Sequence, residues 1–215
     1  MLLKTLREEV LEAAKKLRYY HLVTLSGGNV SGRDQKTGYI AITPSGLEYE
    51  NLVPEDIIII DKNGSVVDGK LKPSVDSEAH LYIYENMPNI NSVIHTHSTF
   101  ASCFAVLNEK IPVITTTLAN AVGGEVSVAR YTPVGSKGMG PEIVKALGDN
   151  LACLLENHGI ICVGRSVKEA LTAAVMLEDV AKIYFLARTI GEPQILPETE
   201  VKKARNLFLY EYGQR

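Results

Sequence analysis

Short apolar segments joined by tight turns fill the first third of the chain, and this pattern restricts the fold most strongly. The turns carry Gly and Asn, which is typical of hairpins between antiparallel strands. The two predicted hairpins are residues 30–33 with 39–42 around Asp34-Gln35-Lys36-Thr37-Gly38, and 57–61 with 65–67 around Asn63-Gly64. The first third is therefore expected to be mostly antiparallel sheet.

Helical patterns lie between and around these and later strands. Helices are predicted at residues 3–22, 76–86, 100–107, 141–147, 166–190 and 198–210, and strands at 91–96, 126–131, 152–155 and 160–163. The longest helix begins with Ser166 and Glu169, a capping-box pattern. The 215 residues contain no internal repeat or linker, and they lack a βαβ alternation strong enough to predict a doubly wound parallel sheet. We expect an α/β fold in a single catalytic domain, residues 1–215: a three-layer sandwich with a mainly antiparallel central sheet flanked by helices.

Charge and composition exclude several kinds of partner. The net charge of −3 and the isoelectric point near 6.0 provide no basic field for nucleic acid. The three cysteines show no CxxC spacing, so a disulfide framework or thiolate zinc site is not expected. The N-terminus lacks the pattern of a signal peptide, and no apolar run approaches the roughly 20 residues of a membrane span. We expect a cytoplasmic protein with no membrane partner.

Two histidines stand two residues apart in Ser92-Val93-Ile94-His95-Thr96-His97. On a strand both imidazoles point to one face, which suits a shared metal ion, although a strand end with two solvated histidines is equally compatible. His158, one of only five histidines, lies in a predicted turn and adds a third possible ligand. Three imidazoles leave an open coordination position, as in catalytic zinc sites. His80 is interpreted as a packing histidine or a support of the site, and His21 as a favourable charge at a helix end.

Three turns combine residues that can hold an anion. Each is also an ordinary turn or helix cap, and none is specific alone. Glycine allows close backbone approach to phosphate, and Ser and Asn supply donors. The turns are Ser26-Gly27-Gly28-Asn29, Thr43-Pro44-Ser45-Gly46 and Lys72-Pro73-Ser74-Val75-Asp76.

Taken in order, these motifs resemble the class II aldolase and L-ribulose-5-phosphate 4-epimerase superfamily, in particular the L-fuculose-1-phosphate aldolases. The resemblance covers nearly the whole chain. It implies a homotetramer with active sites at subunit interfaces and one Zn²⁺ per subunit, with another divalent cation possible. It implies these roles: metal ligands His95, His97, His158 and, in the resting state, Asp76; catalytic residues Asp76 and Tyr212; phosphate-binding residues Gly28, Asn29, Ser45, Gly46, Ser74 and Val75.

The same resemblance implies a reaction. Reversible retro-aldol cleavage of a ketose 1-phosphate gives dihydroxyacetone phosphate and an aldehyde through a metal-stabilised enediolate, with L-fuculose 1-phosphate or a related deoxyketose phosphate as substrate. The alternatives are a 4-epimerase or other sugar-phosphate lyase of the superfamily, and a non-catalytic binding module. No carboxylate occurs between Ile111 and Gly124, where the epimerases have an additional acid, and this favours the aldolase. Val75, Thr117 and Asp76 depart from the fuculose pattern and leave the aldehyde open.

Overall fold

The computed structural model describes residues 1–214, and its centre is an eight-stranded sheet. The strands are β1 (Asn29–Arg33), β2 (Ile40–Ile42), β3 (Ile58–Ile60), β4 (Val66–Asp68), β5 (Ser92–Thr96), β6 (Val128–Ala129), β7 (Ala152–Leu155) and β8 (Gly159–Gly164). Their order in the sheet is β4-β3-β2-β1-β5-β8-β7-β6. All neighbouring pairs are antiparallel except β6 and β7, which are parallel. The mainly antiparallel sheet and both predicted hairpins are confirmed.

Helices cover both faces of this sheet. They are α1 (Lys4–Tyr19), α2 (Ser77–Asn86), α3 (Thr99–Val106), α4 (Thr116–Ala121), α5 (Met139–Leu147), α6 (Val167–Ile190) and α7 (Glu198–Tyr210). Helices α1, α3 and α6 pack on one face, α5 packs on the other with α2 against it, and α4 contacts α6 and α7. The predicted three-layer α/β sandwich is confirmed. Within residues 1–214, no helix combines the length and apolar character needed to cross a membrane.

Side-chain alternation along β1 decides which residues can reach the site. A Cβ on Gly32 would lie 2.8 Å from Leu6 Cδ1 of α1, so this position faces the α1 and α6 layer. Ser31 and Asn29 point to the opposite face, toward α2. Asn29 is paired with His95 of β5, so the two side chains share that face. The candidate site therefore lies on the α2 side of the sheet.

Helix α1 ends three residues earlier than the predicted boundary at residue 22. The Leu22 N–H donates to Leu17 O at 2.9 Å, and the His21 N–H donates to Arg18 O at 3.0 Å. His21 has a φ of 56°, the left-handed conformation that ends a helix in this bonding pattern. The backbone at His21 thus stops the helix before the apolar pattern does.

Two smaller expectations are wrong. Ser166 Oγ accepts the Glu169 N–H at 3.2 Å, but the Glu169 carboxylate accepts from the Arg165 N–H rather than from Ser166, so the capping box is incomplete. Only Val128–Ala129 of the predicted strand at 126–131 forms a strand. Helix α4 was not predicted because it has six residues, too few to show a helical period.

Candidate active site

Three histidines converge at the end of β5. His95 lies in β5, and His97 follows two residues later on the same side of the chain. His158 lies in the turn between β7 and β8, and β8 pairs with β5. Their possible ligand nitrogens all lie within 4.8 Å of one another. The structure therefore brings together the three histidines predicted as metal ligands.

A backbone contact sets the orientation of His95. Its Nδ1 lies 2.9 Å from Ile160 O, which can only accept, so Nδ1 carries the proton and Nε2 keeps its lone pair. The Nε2 atoms of His95 and His97 are 2.9 Å apart. Two lone pairs at this separation repel each other unless a cation or a proton lies between them. Two nitrogens bound to one tetrahedral Zn²⁺ at about 2.0–2.1 Å are about 3.3 Å apart, so the two rings need to move only slightly to share the ion.

Burial keeps these imidazoles in their neutral form. Desolvation lowers the pKa of His95 well below its usual value, and the neighbouring His158 and His97 lower it further. The pKa values of His97 and His158 are also lowered by desolvation, while the charge of Asp76 opposes this. A metal ligand must be deprotonated, so all three rings are prepared to bind at neutral pH.

Glycines leave the space that the histidines occupy. A Cβ on Gly159 would lie 2.4 Å from Thr96 O and 2.8 Å from His97 Cδ2. A Cβ on Gly27 would lie 3.2 Å from His97 Nδ1, and one on Gly28 would lie 2.6 Å from His95 O. Each distance is shorter than an ordinary van der Waals contact, so side chains at these positions would displace the cluster. The donor set, its neutral charge state and this cradle all fit a divalent cation such as zinc.

Asp76 lies beside the cluster at the N-cap position of α2. Its carboxyl is 5% exposed, and Oδ2 accepts the Asn29 side-chain amide at 2.7 Å. The other oxygen, Oδ1, is buried and has no hydrogen-bond partner among residues 1–214. Asp76 is not a member of the group whose ligand atoms lie within 4.8 Å, although its charge acts on His97 and His158. The carboxylate therefore acts electrostatically on two of the histidines without belonging to the triad.

Two of the three predicted phosphate turns lie side by side. Pro44 and Pro73 form an isolated antiparallel bridge, and the Ser45 N–H donates to Lys72 O at 3.0 Å. The Ser74 N–H donates to Thr43 O at 3.1 Å. Gly46 has a φ of 71°, which an L side chain adopts with strain. The pairing holds the Ser45-Gly46 turn against the N-terminal end of α2.

The third turn is tied to the same place by Tyr49. The Tyr49 hydroxyl donates to Gly28 O at 2.6 Å, and the Tyr49 side chain is 1% exposed. Asn29 uses its amide nitrogen on Asp76, and its Oδ1 is buried without a partner among the described residues. Ser74 Oγ accepts the Asp76 N–H at 3.3 Å. Part of the predicted phosphate set thus also positions Asp76.

Val75 and Tyr212, like Ser45 and Gly46, lie at the surface. Val75 is 62% exposed at the turn before α2, and its side chain has no hydroxyl. Tyr212 is 68% exposed and stacks on Phe208 with ring centroids 5.5 Å apart. Within residues 1–214, no contact joins Tyr212 to the histidine cluster. One chain alone does not bring Tyr212 into the site.

Strand β1 and helix α2 are joined by a row of polar contacts that the sequence did not reveal. Asn29 bonds to Asp76 at 2.7 Å, and Ser31 Oγ lies 2.7 Å from His80 Nδ1 and 2.6 Å from the Tyr84 hydroxyl. Two residues of strand rise about 6.7 Å and four residues of helix rise about 6 Å, so the two series stay in register. The row continues inward from the carboxylate of the site.

The chain matches known proteins over almost its full length. Residues 8–185 match the family described as class II aldolase and adducin N-terminal domain. The chain is 38% identical over 215 residues to 5-deoxy-D-ribulose 1-phosphate aldolase of Bacillus thuringiensis serovar kurstaki, covering 100% of both chains.

The chain belongs to the class II aldolase family.

Solved structures of the family agree with this assignment. An L-fuculose 1-phosphate aldolase has a TM-score of 0.92 and 34% identity, covering 96% of this chain and 97% of its own. YgbL of Escherichia coli, described as a putative aldolase/epimerase/decarboxylase, has a TM-score of 0.83 and 30% identity, covering 94% of this chain and 98% of its own. The predicted family and enzyme class, a metal-dependent carbon–carbon lyase, are confirmed.

Several residues that contact the candidate site are not predicted from the sequence. Gly159 follows the predicted His158 turn. A side chain cannot fit there because β5 approaches closely, and the sequence does not show that approach. Tyr49 and Ser31 act through contacts with distant segments. A weak signal existed for His80, whose spacing of four from Asp76 places both on one face of a helix.

Proposed function

We propose that this chain is a zinc-dependent aldolase that reversibly cleaves a ketose 1-phosphate to dihydroxyacetone phosphate and an aldehyde. One observation carries the proposal: three converging neutral imidazoles lie beside a buried carboxylate, with glycine- and serine-containing turns held against the same end of α2. This combination provides a cation site, a group for proton exchange and an anion pocket. We assign it to a single catalytic domain, residues 1–215, in the cytoplasm.

The first substrate to consider is 5-deoxy-D-ribulose 1-phosphate, with L-fuculose 1-phosphate second. The relative that acts on the former is 38% identical over the whole chain. Cleavage between C3 and C4 of that pentulose releases acetaldehyde, which has no hydroxyl to recognise, whereas the fuculose substrate releases a hydroxyaldehyde. The resemblance places Thr117 where the fuculose enzymes have a tyrosine near the aldehyde, and a threonine there offers a smaller side chain. The departure thus supports the smaller aldehyde.

The proposed metal ligands are His95, His97 and His158. A divalent cation held there supplies Lewis-acid stabilisation of the negative charge that develops on the ketone and neighbouring hydroxyl oxygens. Asp76 is proposed to exchange the proton at C3 of the dihydroxyacetone phosphate fragment, in a position fixed by Asn29. Asp76 could also approach the cation in the resting enzyme, because its Oδ1 has no partner within residues 1–214.

The phosphate group is proposed to lie among Gly28, Asn29, Ser45, Gly46, Ser74 and Val75. Ser45 is exposed and can offer its hydroxyl, and Val75 can offer its backbone N–H. The left-handed glycines let the backbone approach the oxygens closely. Phosphate bound here fixes the substrate so that its carbonyl faces the histidines, and much of the rate gain comes from that orientation.

Assembly is proposed to complete the site. Several large apolar side chains are exposed on α3, α6 and α7 or next to them, namely Val106, Leu107, Leu186, Ile190 and Leu207. Burial of such side chains stabilises an oligomer. We propose a homotetramer in which Tyr212 of the partner subunit transfers the proton on the aldehyde oxygen. The exposed position of Tyr212 supports a role outside its own chain.

A substrate assay tests the reaction. Purified protein with Zn²⁺ is incubated separately with 5-deoxy-D-ribulose 1-phosphate, L-fuculose 1-phosphate, L-rhamnulose 1-phosphate and L-ribulose 5-phosphate. Dihydroxyacetone phosphate and epimer are both measured. We expect triose phosphate from at least one of the ketose 1-phosphates, and loss of that product in His95→Ala. His21→Asn is the matched control, because Asn tolerates the left-handed backbone of this exposed histidine.

Two results would contradict the proposal. Epimer from L-ribulose 5-phosphate without triose phosphate would identify a 4-epimerase. Absence of turnover, together with no proton exchange at C3 of dihydroxyacetone phosphate, would identify a non-catalytic binding protein. Metal analysis of the same preparation tests the cofactor, since the proposal requires about one zinc per chain that His95→Ala loses.

A further inference from the structure

Only one hydrogen-bond direction pairs both hydroxyl protons in the row formed by Tyr84, Ser31 and His80. Ser31 Oγ lies between the Tyr84 hydroxyl at 2.6 Å and His80 Nδ1 at 2.7 Å, and all three side chains are buried. Within the described residues, Ser31 Oγ is the one acceptor available to the Tyr84 proton. In that direction Tyr84 donates to Ser31, and Ser31 donates its single proton to His80 Nδ1. The proton of the neutral His80 ring is thus on Nε2.

That Nε2–H is a buried donor with no partner in residues 1–214. Buried polar groups in native proteins are almost always paired, so the group requires an explanation. Two buried acceptors nearby are also unpaired, Asp76 Oδ1 and Asn29 Oδ1. Side chains in a helix lean toward its N-terminus, which directs the ring of His80 back over the turn that carries Asp76. Burial lowers the pKa of His80, the charge of Asp76 raises it and that of His95 lowers it, so both groups lie within electrostatic reach of the ring.

We infer that His80 is a positioning residue for Asp76: its Nε2–H donates, through one bridging water, to the Oδ1 of the carboxylate that Asn29 holds by Oδ2. A carboxylate is a stronger acceptor than the Asn29 amide oxygen, so it takes this donor. With Asn29 on Oδ2 and His80 acting on Oδ1, both carboxylate oxygens are held, which restricts rotation of the carboxylate. The hydrogen bond from Tyr84 to Ser31, and the one from Ser31 to His80 Nδ1, keep His80 in the tautomer that has its proton on Nε2. The inference rests on the proposed function only for the effect on turnover.

Two substitutions separate the two ends of the His80 ring. The amide nitrogen of Gln can occupy the position of Nε2, and the amide of Asn can occupy that of Nδ1. His80→Gln therefore keeps the donor toward Asp76 and gives up the Ser31 contact, whereas His80→Asn does the reverse. If His80 only anchored the core through Ser31, the Asn variant would be the milder one.

The experiment compares kcat, KM, zinc content and thermal midpoint for the two variants and the wild type. We expect His80→Asn to lower kcat about 10- to 100-fold with KM and zinc content unchanged, and His80→Gln to stay within about threefold of wild type. A His80→Asn enzyme with normal kcat would overturn the inference. So would a loss of kcat in both variants that follows loss of zinc or of thermal stability, because His80 would then be structural.

A second measurement does not depend on turnover. Neutron diffraction from deuterated crystals of the zinc-loaded protein locates the His80 proton directly. We expect deuterium on Nε2 and no deuterium on Nδ1. We also expect a water between Nε2 and Asp76 Oδ1. Deuterium on Nδ1, or the absence of a water bound to Nε2, would overturn the inference even if the protein cleaved sugar phosphates. A correct tautomer and water in a protein that turns over none of them would instead leave the inference standing and refute the proposed function.

Discussion

Asn29 and His95 are paired residues of the antiparallel strands β1 and β5, and this pairing joins the histidine cluster to the carboxylate of Asp76. Asn29 donates to Asp76 Oδ2 at 2.7 Å, while its neighbour His95 is fixed by Ile160 O at 2.9 Å. Both side chains point to one face because paired residues do so in a sheet. The relative position of the proposed metal ligand His95 and the proposed proton-exchange group Asp76 is therefore set by strand register.

Gly159→Ala should damage the metal site directly. The new Cβ would lie 2.4 Å from Thr96 O and 2.8 Å from His97 Cδ2, and the backbone oxygen cannot move away cheaply. We expect zinc affinity to fall by about tenfold or more, because small displacements around a metal have such effects. Zinc titration of the purified variant measures this. Gly191→Ala is the control, since no atom lies within 4 Å of its Cβ position, and equal affinities in the two variants would contradict the cradle.

Glu178→Ala should loosen the segment that follows His97. The two carboxylate oxygens of Glu178 each accept at 2.9 Å, from the Phe100 N–H and the Ala101 N–H in the first turn of α3. Burial raises the pKa of this carboxyl, while these bonds and Lys182 oppose the rise. Losing the cap leaves buried N–H groups unpaired, so we expect a loss of about 1–3 kcal/mol in unfolding free energy.

Urea unfolding and zinc titration of Glu178→Ala check this expectation. Asp179→Ala is the matched control on the same helix, because Asp179 is exposed, and it should stay within about 0.5 kcal/mol of wild type. Zinc affinity should fall with Glu178→Ala and not with Asp179→Ala. A Glu178→Ala protein as stable as the control would refute the capping role.

Features with a local sequence signal were predictable. The hairpins follow from turn residues between apolar runs, and the spacing of His95 and His97 directs both rings to one face of a strand. The family resemblance then supplied roles for residues that local patterns leave ambiguous, such as Ser74 and Asp76. These predictions required no knowledge of how distant segments pack.

Features that depend on tertiary approach were not predictable. Gly27 matters because His97 lies 3.2 Å from its Cβ position, and Tyr49 because it reaches Gly28 O across 21 residues of sequence. Asn29 was assigned to phosphate alone, whereas its amide bonds to Asp76. The boundary of α1 depends on the left-handed backbone of His21, which the apolar period does not record.

The stability of the metal-free protein should fall as the pH is lowered, and His80 should contribute. Burial lowers the pKa of His80 from 6.5 to about 4 in the folded state. The unfolded chain therefore binds a proton at higher pH than the folded protein does, and stability is lost as pH falls below about 6.5 toward about 4. Between about pH 7 and about pH 5 this one group accounts for about 2 kcal/mol.

Urea unfolding of wild type and His80→Gln with a chelator, at both pH values and one protein concentration, measures that contribution. The wild type should lose about 2 kcal/mol more than the variant on acidification, since Gln does not titrate. Equal losses would show that the pKa of His80 is the same in the folded and unfolded states, which would refute the effect of burial. His21→Asn should behave like wild type, which separates a buried histidine from an exposed one.

Tyr49→Phe should weaken phosphate binding without slowing the bond-breaking step. Burial raises the pKa of Tyr49 to about 12, so its hydroxyl stays protonated and donates to Gly28 O at 2.6 Å. Loss of a bond worth about 1 kcal/mol loosens the Gly28 turn, and KM for the sugar phosphate should rise about fivefold with kcat nearly unchanged. Steady-state kinetics and inhibition by inorganic phosphate measure both effects. Tyr20→Phe at the surface is the control, and a fall in kcat at constant KM would place Tyr49 in the proton-transfer chemistry instead.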